Sequence, residues 1–149
     1  MIKVERVIHL PHPPEAVTAY LADFSRTESW DPGTVSCRRI DSGPLSVGAE
    51  WQNISEFRGR RTELRYTLTR RDAGRLVFVG RNKTATSTDD LSIEAQGEGT
   101  RLTYRAQIAF HGAARLASPF LKREFERLGD EVSEQLPAAV DRALGSTPR

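Results

Sequence analysis

Cysteine, methionine, histidine and lysine are all scarce in this chain of 149 residues. It holds one Cys, one Met and three His, and only Lys3, Lys83 and Lys122 among 22 basic residues are lysines. Because Cys37 is alone, no intramolecular disulfide can form, and the chain lacks the disulfide framework of a small secreted protein. None of His9, His12 and His111 stands at a metal-ligand spacing from another His, a Cys or a carboxylate, so no metal site is anticipated. No apolar run approaches the ~20 residues that cross a bilayer, and residues 1–6 lack the apolar core of a signal peptide. Charge of one sign is also missing. With 22 basic and 20 acidic residues the formal net charge is +2, too small to imply nucleic acid. No linker, repeat or shift in composition divides the chain. A single cytoplasmic domain over residues 1–149, monomer or homodimer, with no cofactor, is expected.

What is present is an ordered series of elements. Ile2, Val4 and Ile8 alternate with polar residues, which predicts a first strand over 2–10. Pro13 and Pro14 suit a first helical turn, where a missing N–H has no partner to lose. Val17, Leu21 and Phe24 then recur at i, i+4 and i+7, the apolar stripe of a short helix. A second brief helix over 26–30 ends at Asp31-Pro32-Gly33, because the residue before Pro avoids helical geometry. Alternating strands follow over 35–40, 50–57, 62–71, 76–80, 84–95 and 101–110, separated by Gly- and Asp-bearing turns. Leu64, Tyr66 and Leu68 share one face of their strand, and Leu102, Tyr104, Ala106, Ile108 and Phe110 share one face of the last. From Leu116 onward the spacing becomes helical, through Phe120, Phe125, Leu128, Val132, Leu136 and Val140. Pro137 inside that pattern predicts a kink or break near 134–137. Leu128, Val132 and Leu136 are expected to pack on the sheet.

Several of these segments carry a family likeness: Pro13-Pro14-Glu15-Ala16-Val17, Leu21-Ala22-Asp23-Phe24, Trp30-Asp31-Pro32-Gly33, Val47-Gly48 with Trp51, and Gly99-Thr100-Arg101-Leu102-Thr103-Tyr104. With the tail from Arg115 through Leu136, they resemble the START-like, Bet v 1-type (SRPBCC) superfamily, in its bacterial polyketide cyclase/dehydrase branch. The resemblance implies an α+β helix-grip fold: a curved seven-stranded antiparallel sheet around a long C-terminal helix, with two short helices after the first strand. It also implies apolar molecules such as lipids or polyketides held between helix and sheet. Thr18 departs from the pattern, since a bulky aromatic commonly follows the Val.

The residues themselves name few chemical groups. Each His reads as structural or solvent-facing. Asp23 and Asp31 read as helix-end and turn carboxylates, and Asp89-Asp90 as an edge, bulge or solvent-facing pair. Arg58-Gly59-Arg60-Arg61 and Arg70-Arg71 read as solvated hairpin charge. No catalytic residue is assigned. An internal cavity with few titratable groups is expected, lined by Trp51, Phe57, Tyr66, Phe78 and Tyr104 and opening toward Trp30 and Trp51. The ligand-facing set is Trp30, Trp51, Asn53, Phe57, Leu64, Tyr66, Phe78, Tyr104, Ile108 and Leu128. The reading is a carrier of an apolar small molecule. Two alternatives stand beside it: a metal-independent cyclase/dehydratase using the same cavity, and a protein-interaction module with a filled core. A paired acid and base inside the cavity would favour the enzyme.

Overall fold

Along β1 (Ile2–Leu10) the side chains of Ile2, Val4, Ile8 and Leu10 are buried and those between them largely exposed. The computed structural model describes residues 1–145. After β1 come α1 (Pro14–Ala22), a 3₁₀ turn (Phe24–Arg26) and α2 (Thr27–Trp30). Six further strands follow: β2 (Thr34–Arg39), β3 (Glu50–Phe57), β4 (Arg60–Asp72), β5 (Arg75–Arg81), β6 (Ala85–Gln96) and β7 (Gly99–Phe110). A second 3₁₀ turn (Gly112–Ala117) leads into α3 (Ser118–Leu144).

All seven strands form one antiparallel sheet in the order β1-β7-β6-β5-β4-β3-β2. The first two strands in sequence are therefore its two edges, and α1 and α2 carry the chain from one edge to the other. One face is apolar and covered, while the other is polar, the pattern of a half-covered antiparallel sheet. On β5, Leu76, Phe78 and Gly80 are buried, whereas Val77 and Val79 on the opposite face are half-buried.

The long helix is continuous. Pro137 lies inside α3 and no break occurs near 134–137, which removes the break from the kink or break expected there. The helix carries Val132, Leu136, Ala139 and Val140 into the core on either side of that proline, and tertiary packing offsets the lost backbone bond. Leu128, one turn before Val132, is only half-buried. Leu116 and Phe120, which open the helical pattern, are 78% and 76% exposed.

Helix and sheet meet most tightly at Gly129. A Cβ there would lie 2.5 Å from Val4 Cγ1 and 3.2 Å from the Arg6 guanidinium carbon. Arg6 lies in register with the inward residues of β1 and reaches across to α3. It donates to the Glu126 carbonyl at 2.9 Å and pairs with Glu126 at 3.0 Å and Asp130 at 2.9 Å. Burial opposes its charge, but these partners outweigh burial and raise its pKa. At the far end of α3, buried His12 lies 2.6 Å from Asp141, and Thr100 donates to the His12 carbonyl. No described helix is long and apolar enough to cross a membrane.

Truncation along α3 should separate its two roles. Leu136→Ala, at a fully buried position, should destabilise by ~2–5 kcal/mol in denaturant unfolding. Leu128→Ala should give a clearly smaller loss, because that side chain is half-buried and borders open space.

Candidate functional site

The concave face of the sheet is filled on one side and open on the other. The filled side centres on Phe24, whose ring lies 4.4 Å from Phe78 and 4.5 Å from Tyr66, centroid to centroid. Trp51 and Trp30 pack edge-on against it at 6.1 and 6.4 Å. Asp23, between α1 and the first 3₁₀ turn, accepts from the Ser25 N–H and hydroxyl and from Trp51 Nε1 at 3.4 Å. It acts as a helix-end carboxylate, as the sequence predicts. Among the described residues the buried Trp30 indole N–H has no hydrogen-bond partner.

The open side is a cavity of about 200 Å³ between α3 and strands β3, β4, β6 and β7. Six of the residues assigned to ligand contact line it: Phe57, Leu64, Tyr66, Tyr104, Ile108 and Leu128. Four do not. Trp30, Trp51, Asn53 and Phe78 are buried in the packed core, and Asn53 is held by Ser55 and Thr34. Phe24 occupies the space beside the two tryptophans, so the gap lies elsewhere than toward Trp30 and Trp51. Gly80 helps to shape the wall. A Cβ there would fall 2.6 Å from the Tyr66 ring, so the glycine lets that ring lie flat across β5.

At the other end of the cavity the β3–β4 hairpin approaches α3. Its turn is Arg58-Gly59, with φ of 52° and 78°, the positive pair that a tight two-residue hairpin requires. The turn sets Phe57 stacked on Phe125 at 4.7 Å and Arg58 3.6 Å from Glu124. Phe57, Phe110, Leu121 and Phe125 line the cavity here and are each only half-buried, which marks this end as the mouth.

The inner wall carries titratable groups in a number the sequence did not anticipate. Asp89 lies on central strand β6, 5% exposed, with its carboxyl facing the cavity. This corrects the reading of Asp89-Asp90 as an edge, bulge or solvent-facing pair. Asp90 alone turns to the outer face, where it pairs with Arg75 at 2.6 Å. The strand has the alternation of any half-buried strand, but its inward positions are Ala85, Ser87, Asp89, Leu91 and Ile93. That alternation is the available signal: the buried phase of β6 runs through Asp89, not Asp90.

Asp31, on the link from α2 to β2, also borders the cavity. It accepts from the Gly33 N–H and the Thr34 hydroxyl, each at 3.0 Å, so it is a turn residue and a cavity residue together. Burial pushes its carboxyl up, and those two hydrogen bonds pull it partly back. Asp89 accepts no hydrogen bond among the described residues. Burial, and then the Asp31 charge, push its carboxyl up to about 8. Tyr66 and Tyr104 border the same space. Burial first and Asp89 second hold both phenols well above their ordinary range, and the neighbouring Ser87 side chain pulls Tyr66 partly back. The cavity thus has an aliphatic and aromatic mouth and an inner wall of two carboxyls, two phenols and a serine.

The three histidines lie away from it: exposed His9 bonds Gln96, His12 lies against Asp141, and exposed His111 bonds Thr86. Among the described residues no group of three or more His, Cys, Asp and Glu is placed to hold a metal ion. Buried Cys37 has its thiol pushed up to about 11 by burial, so it is inert rather than nucleophilic.

A family model described as polyketide cyclase / dehydrase and lipid transport matches residues 1–141. No curated protein matches the chain in sequence. Among solved structures, the TTHA0849 protein of Thermus thermophilus superposes with a TM-score of 0.79 at 15% identity, covering 97% of this chain and 99% of that one. A START superfamily protein from Mycobacterium smegmatis gives 0.78 at 13% identity, covering 95% and 98%. The ZhuI aromatase/cyclase from Streptomyces sp. R1128 gives 0.72 at 14% identity, covering 97% and 98%. At these identities the likeness establishes the helix-grip fold and nothing about the ligand.

Asp89 makes stability depend on pH in a defined direction. Its carboxyl keeps a proton up to about 8 in the folded protein but releases it near ~3.9 when unfolded. The folded state therefore binds more protons across that window, and stability should fall as pH rises from ~4 to ~8, by at most about 1.4 kcal/mol per pH unit. Asp89→Asn should flatten that slope in urea melts taken at several pH values. An unchanged slope would mean that Asp89 is ionised inside the cavity.

Proposed function

Because the chain belongs to the polyketide cyclase / dehydrase and lipid transport family, we propose that its cavity binds an apolar small molecule bearing at least one oxygen acceptor. Family membership supports a hydrophobic-ligand or cyclase role. The observation that carries the finer reading is Asp89, an unpartnered buried carboxyl at the inner end of an otherwise apolar cavity. Held protonated, it donates one hydrogen bond, and a ketone, enol or ester oxygen is the group that accepts it. Burial of ligand surface against Phe57, Leu64, Ile108 and Phe125 supplies the drive, at ~25 cal/mol per Å². Size sets a further limit. An apolar cavity of ~150 Å³ accepts a benzene ring, so about 200 Å³ suits one or two fused rings, or one end of a longer molecule.

Filling the cavity tests this. Ala106 lines it and is half-buried, so Ala106→Trp should place a ring inside the free volume. Anilinonaphthalene sulfonate fluorescence should report binding to the native chain and a loss of about tenfold or more in the variant. Equal affinity in both would place the dye outside the cavity and remove the support for this reading.

A second reading, an enzyme of cyclase or dehydratase type, is favoured by the two carboxyls bordering one cavity in different environments. Asp31 has hydrogen bonds that favour its ionised form, and Asp89 has none. One serves as base and the other as acid, the division that runs proton abstraction beside a carbonyl. Asp31 takes the α-proton, Asp89 donates to the carbonyl oxygen, and an enol forms. The chain should then accelerate deuterium exchange at the α-carbon of 2-tetralone in D₂O, read by NMR. Asp31→Asn and Asp89→Asn should each reduce that exchange by about tenfold or more while the dye still binds. No exchange above buffer would leave the carrier reading alone.

A further inference from the structure

The topology gathers cations around the mouth of the cavity. The β3–β4 turn, the β5–β6 turn and the lead into α3 all lie at one end of the sheet, because β3, β5 and β7 end there and β4 and β6 begin there. The first of these contributes Arg58, Arg60 and Arg61, and the second is flanked by Arg81 and Lys83. Arg115, Lys122 and Arg123 come from the third, and all eight are exposed. Among the described residues Glu56, Glu63, Glu124 and Glu126 oppose them at this end, and Glu56, Glu124 and Glu126 are already paired with Arg61, Arg58 and Arg6. The whole chain is +2, so an excess of four positive charges among these residues leaves the remainder net negative.

Two large apolar side chains stand within that ring. Leu116 and Phe120 are 78% and 76% exposed, four residues apart and between Arg115 and Lys122. None of the described residues covers them, whereas Leu121 beside them turns inward and lines the cavity. Exposed apolar residues framed by cations have a specific physical match. The apolar pair enters the boundary between headgroups and acyl chains, and the cations meet anionic headgroups. An acidic protein surface would satisfy the cations but does not call for two unsupported apolar side chains at the rim of an apolar cavity.

We propose that the cavity mouth is a peripheral docking face for anionic phospholipid membranes, with Leu116 and Phe120 as its apolar anchors. Docked in this way, the mouth opens toward the acyl region, and an apolar ligand passes between membrane and cavity with a short path through water. The face is read from exposure and charge alone, while the passage of ligand rests on the carrier reading above.

Flotation with vesicles containing roughly one-third phosphatidylglycerol in phosphatidylcholine tests it. Binding is expected to these vesicles and not to pure phosphatidylcholine, weakening as salt is raised. Leu116→Ala with Phe120→Ala should reduce it by about tenfold, as should Lys122→Glu with Arg123→Glu. All four side chains are exposed, so the fold should survive, and circular dichroism checks that it does. No binding to anionic vesicles at low salt would overturn the proposal. Loss on charge reversal without loss on removing Leu116 and Phe120 would also overturn it, leaving adsorption by charge alone with no apolar anchor. Dye binding in the same variants reports the cavity separately, so failure of one reading is distinguishable from failure of the other.

Discussion

The close approach of α3 to β1 at Gly129 is the contact on which the rest of the molecule depends. No side chain larger than hydrogen fits there against Val4 and the Arg6 guanidinium. Arg6 then ties the same turn of the helix to the strand through Glu126 and Asp130. Pinned on one edge of a curved sheet, the helix cannot also lie close to the middle strands along its whole length. Space between α3 and β3, β4 and β6 follows from that seating, as sheet curvature makes a straight helix bridge a hollow rather than fill it.

Half of that hollow is closed by aromatic packing. Phe24 reaches it because Asp23 ends α1 and starts a 3₁₀ turn, which aims the ring at Phe78, Tyr66 and Trp51. Such ring contacts contribute about 0.5–1.5 kcal/mol each beyond area burial, enough to keep the plug ordered. The other half is left to smaller inward residues, Ala85, Ser87 and Ala106, and to Leu128 on the helix. The division between packed core and cavity is thus a matter of residue size at inward positions. Phe78 on β5 fills, and Ser87 and Asp89 on β6 do not.

Charge is distributed to match. Inside, no described cation lies beside Asp31 or Asp89, so burial raises both and pushes Asp89 up to about 8. Outside, the mouth is ringed by arginines and lysines whose carboxylate partners are few. An apolar passage with a proton-holding inner end and a cationic rim is polarised along its axis. Neither end would be visible from the net charge of +2.

Period-2 alternation is sufficient to locate all seven strands to within about two residues, and helical spacing locates α1 and α3, because side-chain periodicity is local. The inner faces of β4 and β7 are legible for the same reason: Leu64, Tyr66, Tyr104 and Ile108 belong to unbroken alternations. The family segments carry the helix-grip architecture, whose match spans residues 1–141. What the sequence does not reveal is which inward residues meet ligand space and which meet one another. Trp51 and Phe78 alternate inward just as Tyr66 does, yet they are core because Phe24 arrives from another element. Asp89 reads as marking an edge, bulge or solvent face because a buried carboxylate is costly, a cost that holding its proton in the cavity lowers. Pro137 reads as a kink or break because local propensity counts a lost hydrogen bond but not the packing of Leu136 and Val140 on either side. Local pattern thus determined the elements and their faces. The long-range meeting of α3, β1 and Phe24 decided where the protein is solid and where it is hollow.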